Sequence, residues 1–217
     1  MTIVILAKCK NSIILSTDLQ ESGHVLDYNN IFLDQTREID NKTYYPIDNN
    51  KRLIGINLTS KISHFGNIIF SGAGDSEDLK SVELFLTQNY KNKNIIRLLE
   101  VSSLHLNNCS FIIIKKKEQE VYYFNKGNKQ LFKHDVLIFG DGRIVTQSYE
   151  ETLKLSLNKH SKDFIKDQIA FIIHSLSRAV FYTTISSPFT SGSDLWEIKK
   201  TVVHKYKLKN YFRWEND

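Results

Sequence analysis

Cysteine and proline are each present only twice among 217 residues, and glycine nine times. Two cysteines a hundred positions apart, Cys9 and Cys109, are too few for a disulfide framework and too far apart for a zinc site. Both lie in apolar, strand-like segments and read as buried free thiols, which suits a reducing compartment. So little proline and glycine argues against long linkers and low-complexity tails. No apolar run reaches the length of a membrane span. Ile3–Ala7 is too short for the core of a secretory signal and has no basic segment before it, so the expected location is the cytoplasm. Gly72-Ala73-Gly74 lacks the further glycine and lysine of a phosphate loop. The histidines at 64, 105, 134, 160, 174 and 204 show no metal-ligand spacing, so no cofactor is expected.

What is present describes one globular domain able to bury a large core: 41% hydrophobic and 24% charged residues, with thirteen Phe and ten Tyr. The formal charge of +5 is spread along the chain. Its densest runs, Lys115-Lys116-Lys117 and the tail from Lys199 to Arg213, read as solvated faces. Without a fold motif or a clustered patch they do not indicate nucleic-acid binding.

The chain opens on TIVILAKCKNSIILSTD, residues Thr2–Asp18, which reads as a hairpin of two apolar strands around a polar corner. If Met1 is removed, Thr2 carries a free α-amine beside its hydroxyl, a self-contained nucleophile and base. On this stretch alone, a strand that happens to begin with threonine is the better reading, and the rest of the chain decides.

A polar stretch from Leu19 to Arg52 follows, with turn signals at Asp40-Asn41-Lys42 and Asp48-Asn49-Asn50, and reads as a long inserted loop or hairpin at about 19–52. Strand-like pieces come next at Leu53–Leu58, Lys61–Phe65 and Asn67–Ser71. Asp75–Tyr90 has helical spacing, with Leu79, Val82, Leu86 and Tyr90 on one stripe and acids crowding its first turn. A short helix is expected over Asn94–Leu104. Strands are expected at Cys109–Ile114, Val121–Phe124, Gln130–Phe132 and Asp135–Phe139, and helices at Arg143–Leu157 and Ser161–Thr183. Two more strands, Ser193–Thr201 and Val203–Tyr211, close the chain. Sheets and helices are segregated rather than alternating, which predicts an α+β layered fold. Trp196 and Trp214 read as packing or interface anchors.

Four landmarks, in order, resemble the proteasome β-type subunits and HslV-type peptidases of the N-terminal-nucleophile (Ntn) hydrolases. The opening hairpin is similar to that family's first hairpin, with Thr2 and Asp18 at the matching separation. Lys61-Ile62 looks like the family's lysine and following aliphatic residue. SGAGDSEDLKSVELFL looks like its glycine turn and first helix, with Gly74 on the oxyanion glycine and Asp78 four positions later. Gly140-Asp141-Gly142 falls where the family has Gly-Ser-Gly, and Ser191-Gly192 where it has Ser-Gly ahead of a strand.

The resemblance implies a four-layer αββα fold and a threonine-type peptidase. Thr2 would be the nucleophile with its amine as base, Lys61 would tune the electrostatics, Asp18 would orient Lys61, and the Gly74 amide would bind the oxyanion. Asp141 and Ser191 would support the site. Taken by themselves, Lys61 and Asp18 also read as a surface lysine and a turn aspartate. The substrate implied is a peptide or unfolded protein, in a ring-like homo-oligomer served by a separate unfoldase, without nucleic acid or membrane. The chain departs from the family in three places. The Asp18–Lys61 segment is longer by roughly two dozen residues. Asp141 replaces a serine, and Pro188 stands where an aspartate precedes Ser191. Two alternatives follow: an impaired assembly subunit of the same fold, or an Ntn amidase or peptide ligase with a small or specific substrate.

Overall fold

The computed structural model describes residues 3–18, 20–27, 37–39, 42–46, 52–58, 60–102, 106–140, 146–184, 193–209 and 213–216. The opening hairpin pairs β1 (Ile3–Cys9) with β2 (Ser12–Asp18), in register from Val4↔Thr17 to Cys9↔Ser12. Nearly every residue of the pair is buried, because both faces of this ribbon are covered. Val4, Leu6, Ile13 and Leu15 enter one apolar layer, and Ile3, Ile5, Ala7 and Ile14 enter another. That is why the sequence reads as continuous apolar runs rather than an alternating pattern.

The first sheet is completed by β12 (Val136–Gly140), β13 (Ser193–Ile198), β14 (Val203–Lys209) and β15 (Arg213–Asn216), in the order β12-β1-β2-β13-β14-β15. The second sheet contains β7 (Ile62–Phe65), β8 (Ile68–Gly74), β9 (Cys109–Lys115), β10 (Glu120–Asn125) and β11 (Asn128–Leu131), in the order β11-β10-β9-β8-β7. All pairings in both sheets are antiparallel.

Val4, Leu15, Ile69, Ile112, Val121, Phe139 and Trp196 belong to the core between the two sheets. The helices α3 (Thr146–Leu157) and α4 (Lys162–Thr184) cover the outer face of the first sheet, where Leu153, Ile165, Ile169, Ile172 and Ile173 meet Ile3, Ile5 and Leu195. On the outer face of the second sheet, α1 (Ser76–Asn89) and α2 (Ile95–Glu100) set Val82, Leu86, Ile95 and Leu99 against Phe70, Phe111 and Ile113. Phe111 and Phe124 stack there, with ring centroids 4.6 Å apart. The result is a four-layer αββα sandwich with three apolar layers.

Several boundaries differ from the sequence expectation. The strand expected to stop at Ser71 continues as β8 to Gly74, because that segment still pairs with β9 as far as Gly74↔Cys109. The second helix ends at Glu100 rather than Leu104. The strand β15 had no counterpart in the sequence reading. Cys109 is buried as expected, but Cys9 is only partly so, since it closes β1 at the hairpin corner.

Between β2 and β7 the chain forms a third sheet. Its strands are β3 (Gln20–Asp27), β4 (Arg37–Ile39), β5 (Lys42–Pro46) and β6 (Arg52–Leu58), in the order β3-β6-β5-β4. The piece Leu53–Leu58 therefore belongs with this sheet rather than with the sandwich. Its stem is the β3–β6 ladder, which runs from Gln20↔Leu58 to Asp27↔Arg52 with a register shift between Ser22 and Val25. Among the described residues no helix is long and apolar enough to cross a membrane.

Candidate active site

At one end of the sandwich, Ile3 pairs with Gly140 on one side, and the last residue of β2, Asp18, pairs with Ser193 on the other. The Ile3 amide N–H donates to Asp18 Oδ1 at 2.7 Å, so the carboxylate takes over where the β1–β2 ladder ends. The other oxygen, Asp18 Oδ2, accepts from Lys61 Nζ at 2.9 Å. The Asp18 side chain is 2% exposed and that of Lys61 13%. Lys61 immediately precedes β7 in the second sheet, so a single carboxylate links the beginning of the described chain to the other sheet. A buried charge pair of this kind matters through its completeness, since removing either partner leaves an uncompensated charge.

Gly74 ends β8 at φ +120°, a backbone conformation that side chains disfavour. A Cβ there would also come within 2.8 Å of Cys109 Cα and closer still to the Asn108 carbonyl oxygen. The next residue, Asp75, caps α1, its Oδ1 accepting from the amides of Glu77 and Asp78 at 2.9 and 3.1 Å. Asp78 thus occupies the first helical turn, and its Oδ2 is buried without a hydrogen-bond partner among the described residues. Gly140 also adopts positive φ, at +114°.

Three of the sequence candidates, Thr2, Asp141 and Ser191, lie outside the described residues, as does Pro188. Of the other three, Asp18 and Lys61 are brought into direct contact and Gly74 stands at the end of its strand. The sequence reading missed the Ile3 amide as the third member of the Asp18 cluster. It was recoverable, because a carboxylate that ends a hairpin strand faces the first amides of its partner.

A strongly perturbed carboxyl lies elsewhere, on β13. Burial alone would raise the Glu197 carboxyl. The neighbouring Lys166 ammonium, hydrogen bonds from Lys166 and Lys162, and the charge of Lys199 hold it down at about 2. The three Lys Nζ atoms lie 3.2–3.5 Å from its oxygens. Lys166 also donates to the Tyr206 hydroxyl at 3.3 Å. This cluster ties α4 to β13 and β14 and is structural in character. Trp196 is buried in the inter-sheet core, its ring beneath Lys205 Nζ at 4.3 Å and edge-on to His64. Among the described residues no group of three His, Cys, Asp or Glu side chains is placed to hold a metal ion.

No family model matches the chain, and no curated protein sequence does either. Solved structures do. The crystal structure of eukaryotic HslV from Trypanosoma brucei aligns with 91% of this chain and 99% of its own length, with a TM-score of 0.54 and 12% sequence identity. At that identity the likeness establishes the αββα architecture shared with the Ntn-hydrolase and proteasome-like folds.

Proposed function

We propose that this protein is an N-terminal threonine hydrolase that cleaves peptide amide bonds through an acyl-enzyme on Thr2 after removal of Met1. The observation that carries the reading is the Ile3–Asp18–Lys61 constellation. The residue covalently bonded to Thr2 is fixed to the same carboxylate that holds the lysine.

A threonine hydroxyl is a poor nucleophile at neutral pH and needs a base. The α-amine, with an ordinary pKa of about 7.7–8.0, suits that role better than a lysine at about 10.4. The amine takes the hydroxyl proton as Oγ1 attacks the substrate carbonyl. The Gly74 N–H receives the oxyanion, and the amine passes the proton to the leaving amine, giving an ester on Thr2. Water, deprotonated by the same amine, then hydrolyses the ester and restores the hydroxyl. Lys61 favours the deprotonated amine and the developing alkoxide through its positive charge, and Asp18 keeps it aimed.

The substrate is a peptide or an unfolded protein, and the working form is a self-compartmentalising homo-oligomer supplied by a separate ATP-dependent unfoldase in the cytoplasm. The whole chain forms one proteasome-β-like domain carrying the 19–52 insertion. Asp141 and Ser191 support the amine.

Intact mass spectrometry of the purified protein with and without a β-lactone tests this. The expected result is loss of Met1 and a single adduct that is absent from Thr2→Ala. Processed protein that takes up no lactone would instead establish an impaired assembly subunit.

A further inference from the structure

A cavity of about 200 Å³ opens between the two sheets at the end that carries Asp18. One wall is Gly74, the proposed oxyanion donor, and another is Gly140, the register partner of Ile3. Paired antiparallel residues lie about 4.5–5.5 Å apart, so the Gly140 wall of this cavity lies beside Ile3.

We propose that this cavity binds a carboxylate carried by the substrate beside the scissile bond, either an acidic side chain or a peptide's free C-terminus; the inference rests on the threonine-hydrolase reading. The polar lining is rich in donors. Ser110 Oγ donates to Asn125 Oδ1 at 2.9 Å, which leaves the two N–H groups of the Asn125 carboxamide to be used. Asn108 and Lys126 also line it, and Lys126 is a cation that pairs with no carboxylate among the described residues. Among the described residues no Asp or Glu lines the cavity. Asp75, beside the lining Gly74, caps α1 and accepts from the amides of Glu77 and Asp78, and Asp78 lies in the first turn, where the helix dipole offsets its charge. A carboxylate matches this donor set, whereas a second cation would meet Lys126. The rings of Tyr123 and Phe139, 5.2 Å apart, supply an apolar floor suited to a methylene chain.

Lys126 and Gly127 are the two central residues of the β10–β11 hairpin, both at positive φ (+49° and +79°), so the cation is presented on a tight turn. Asparagine tolerates that conformation, and Lys126→Asn therefore removes the charge without straining the turn.

The test uses two readouts on processed protein. In the first, kcat/KM is compared for peptide pairs that differ only in Glu against Gln at the residues flanking the scissile bond, or only in a free against an amidated C-terminus one residue beyond it. One charged hydrogen-bonded contact predicts a preference for the acidic member of about tenfold to a hundredfold, collapsing towards unity in Lys126→Asn. Which pair shows it identifies the source of the carboxylate.

In the second readout, amide chemical shifts of Gly74, Asn125 and Gly140 are followed on titration with N-acetylglutamate, using N-acetylglutamine as the neutral control. Saturable shifts with N-acetylglutamate alone, lost in Lys126→Asn, are expected whether or not turnover occurs. Equal responses to both compounds, or a response indifferent to Lys126→Asn, overturn the carboxylate site. Saturable, charge-selective shifts without lactone labelling of Thr2 uphold the site and overturn only the hydrolase reading.

Discussion

Ile3 and Asp18 close the open end of the first hairpin through the Ile3 amide and Asp18 Oδ1, 2.7 Å apart, while the other carboxylate oxygen holds Lys61. The two oxygens therefore have separable duties. Asp18→Asn retains an acceptor for the Ile3 amide but loses the charge that pairs with Lys61. Asp18→Ala loses both. Urea denaturation should find Asp18→Ala less stable by about 3–5 kcal/mol, with Asp18→Asn between it and the parent. Peptide hydrolysis should fall by about a hundredfold or more in both, because Lys61 loses the carboxylate that aims it.

Gly74→Ala should damage stability and turnover together. Its φ of +120° is unfavourable for alanine, and the added Cβ meets the backbone of Asn108 and Cys109. Strain of this kind costs on the order of 1–3 kcal/mol. If the Gly74 amide is the oxyanion donor, displacing it should also lower kcat by about a hundredfold. Lactone labelling rate and thermal melting, measured on the same sample, separate the two effects.

Glu197 should govern part of the acid sensitivity. Its folded value of about 2 lies below the ordinary 4.5, so its pairing with lysine contributes fully above pH 4.5 and is lost as pH falls towards 2. Glu197→Gln should be less stable than the parent at neutral pH, because Lys166 loses its buried counter-charge. The difference between the two proteins should shrink between pH 4.5 and 2. Denaturant midpoints across that range measure it, and a constant difference would contradict the assignment.

The two thiols should differ in reactivity. Burial, followed by the fields of Asp78 and Asp75, pushes the Cys109 thiol up to about 11. Burial also raises Cys9, which is partly exposed. Iodoacetamide at pH 8 should leave Cys109 unmodified in the native protein and alkylate it on unfolding, with Cys9 reacting first. Peptide mapping of the adducts decides this.

Much of the sandwich was legible because its strands are apolar on both faces, and Val4, Leu6, Ile13 and Leu15 leave no other place for themselves than a covered sheet. The α1 stripe was equally clear, with Val82 and Leu86 fully buried. Asp18 and Lys61, by contrast, were marked only by their order along the chain, since nothing local distinguishes a site carboxylate from a turn aspartate. The β3 segment QESGHVLD was illegible as a strand because it is polar, contains Gly23 and is irregular between Ser22 and Val25. Lys199 was read as part of a solvated face, yet it lies 3.5 Å from the buried Glu197. A charge run does not reveal which of its members meets a distant carboxylate. Asn125 and Lys126 looked like an ordinary polar corner, and only the approach of Gly140 from the other sheet makes that corner one side of a cavity.

The stem of the third sheet leaves the sandwich beside residues that already hold each other, Asp18 and Lys61, 43 positions apart in sequence. Doubling the length of a loop whose ends are fixed adds only about 0.6 kcal/mol of closure entropy. The sandwich is therefore nearly indifferent to what is threaded between these two residues, provided both ends return to the clasp. Such a junction is a natural port for evolutionary insertion, where whole strands can be gained, lost or exchanged next to the reactive end. The Asp27↔Arg52 rung even supplies a place to cut: joining those residues through Asn-Gly would leave a plain two-stranded stem. Diversity among proteins built this way would then concentrate at the port, with the layers beneath unchanged.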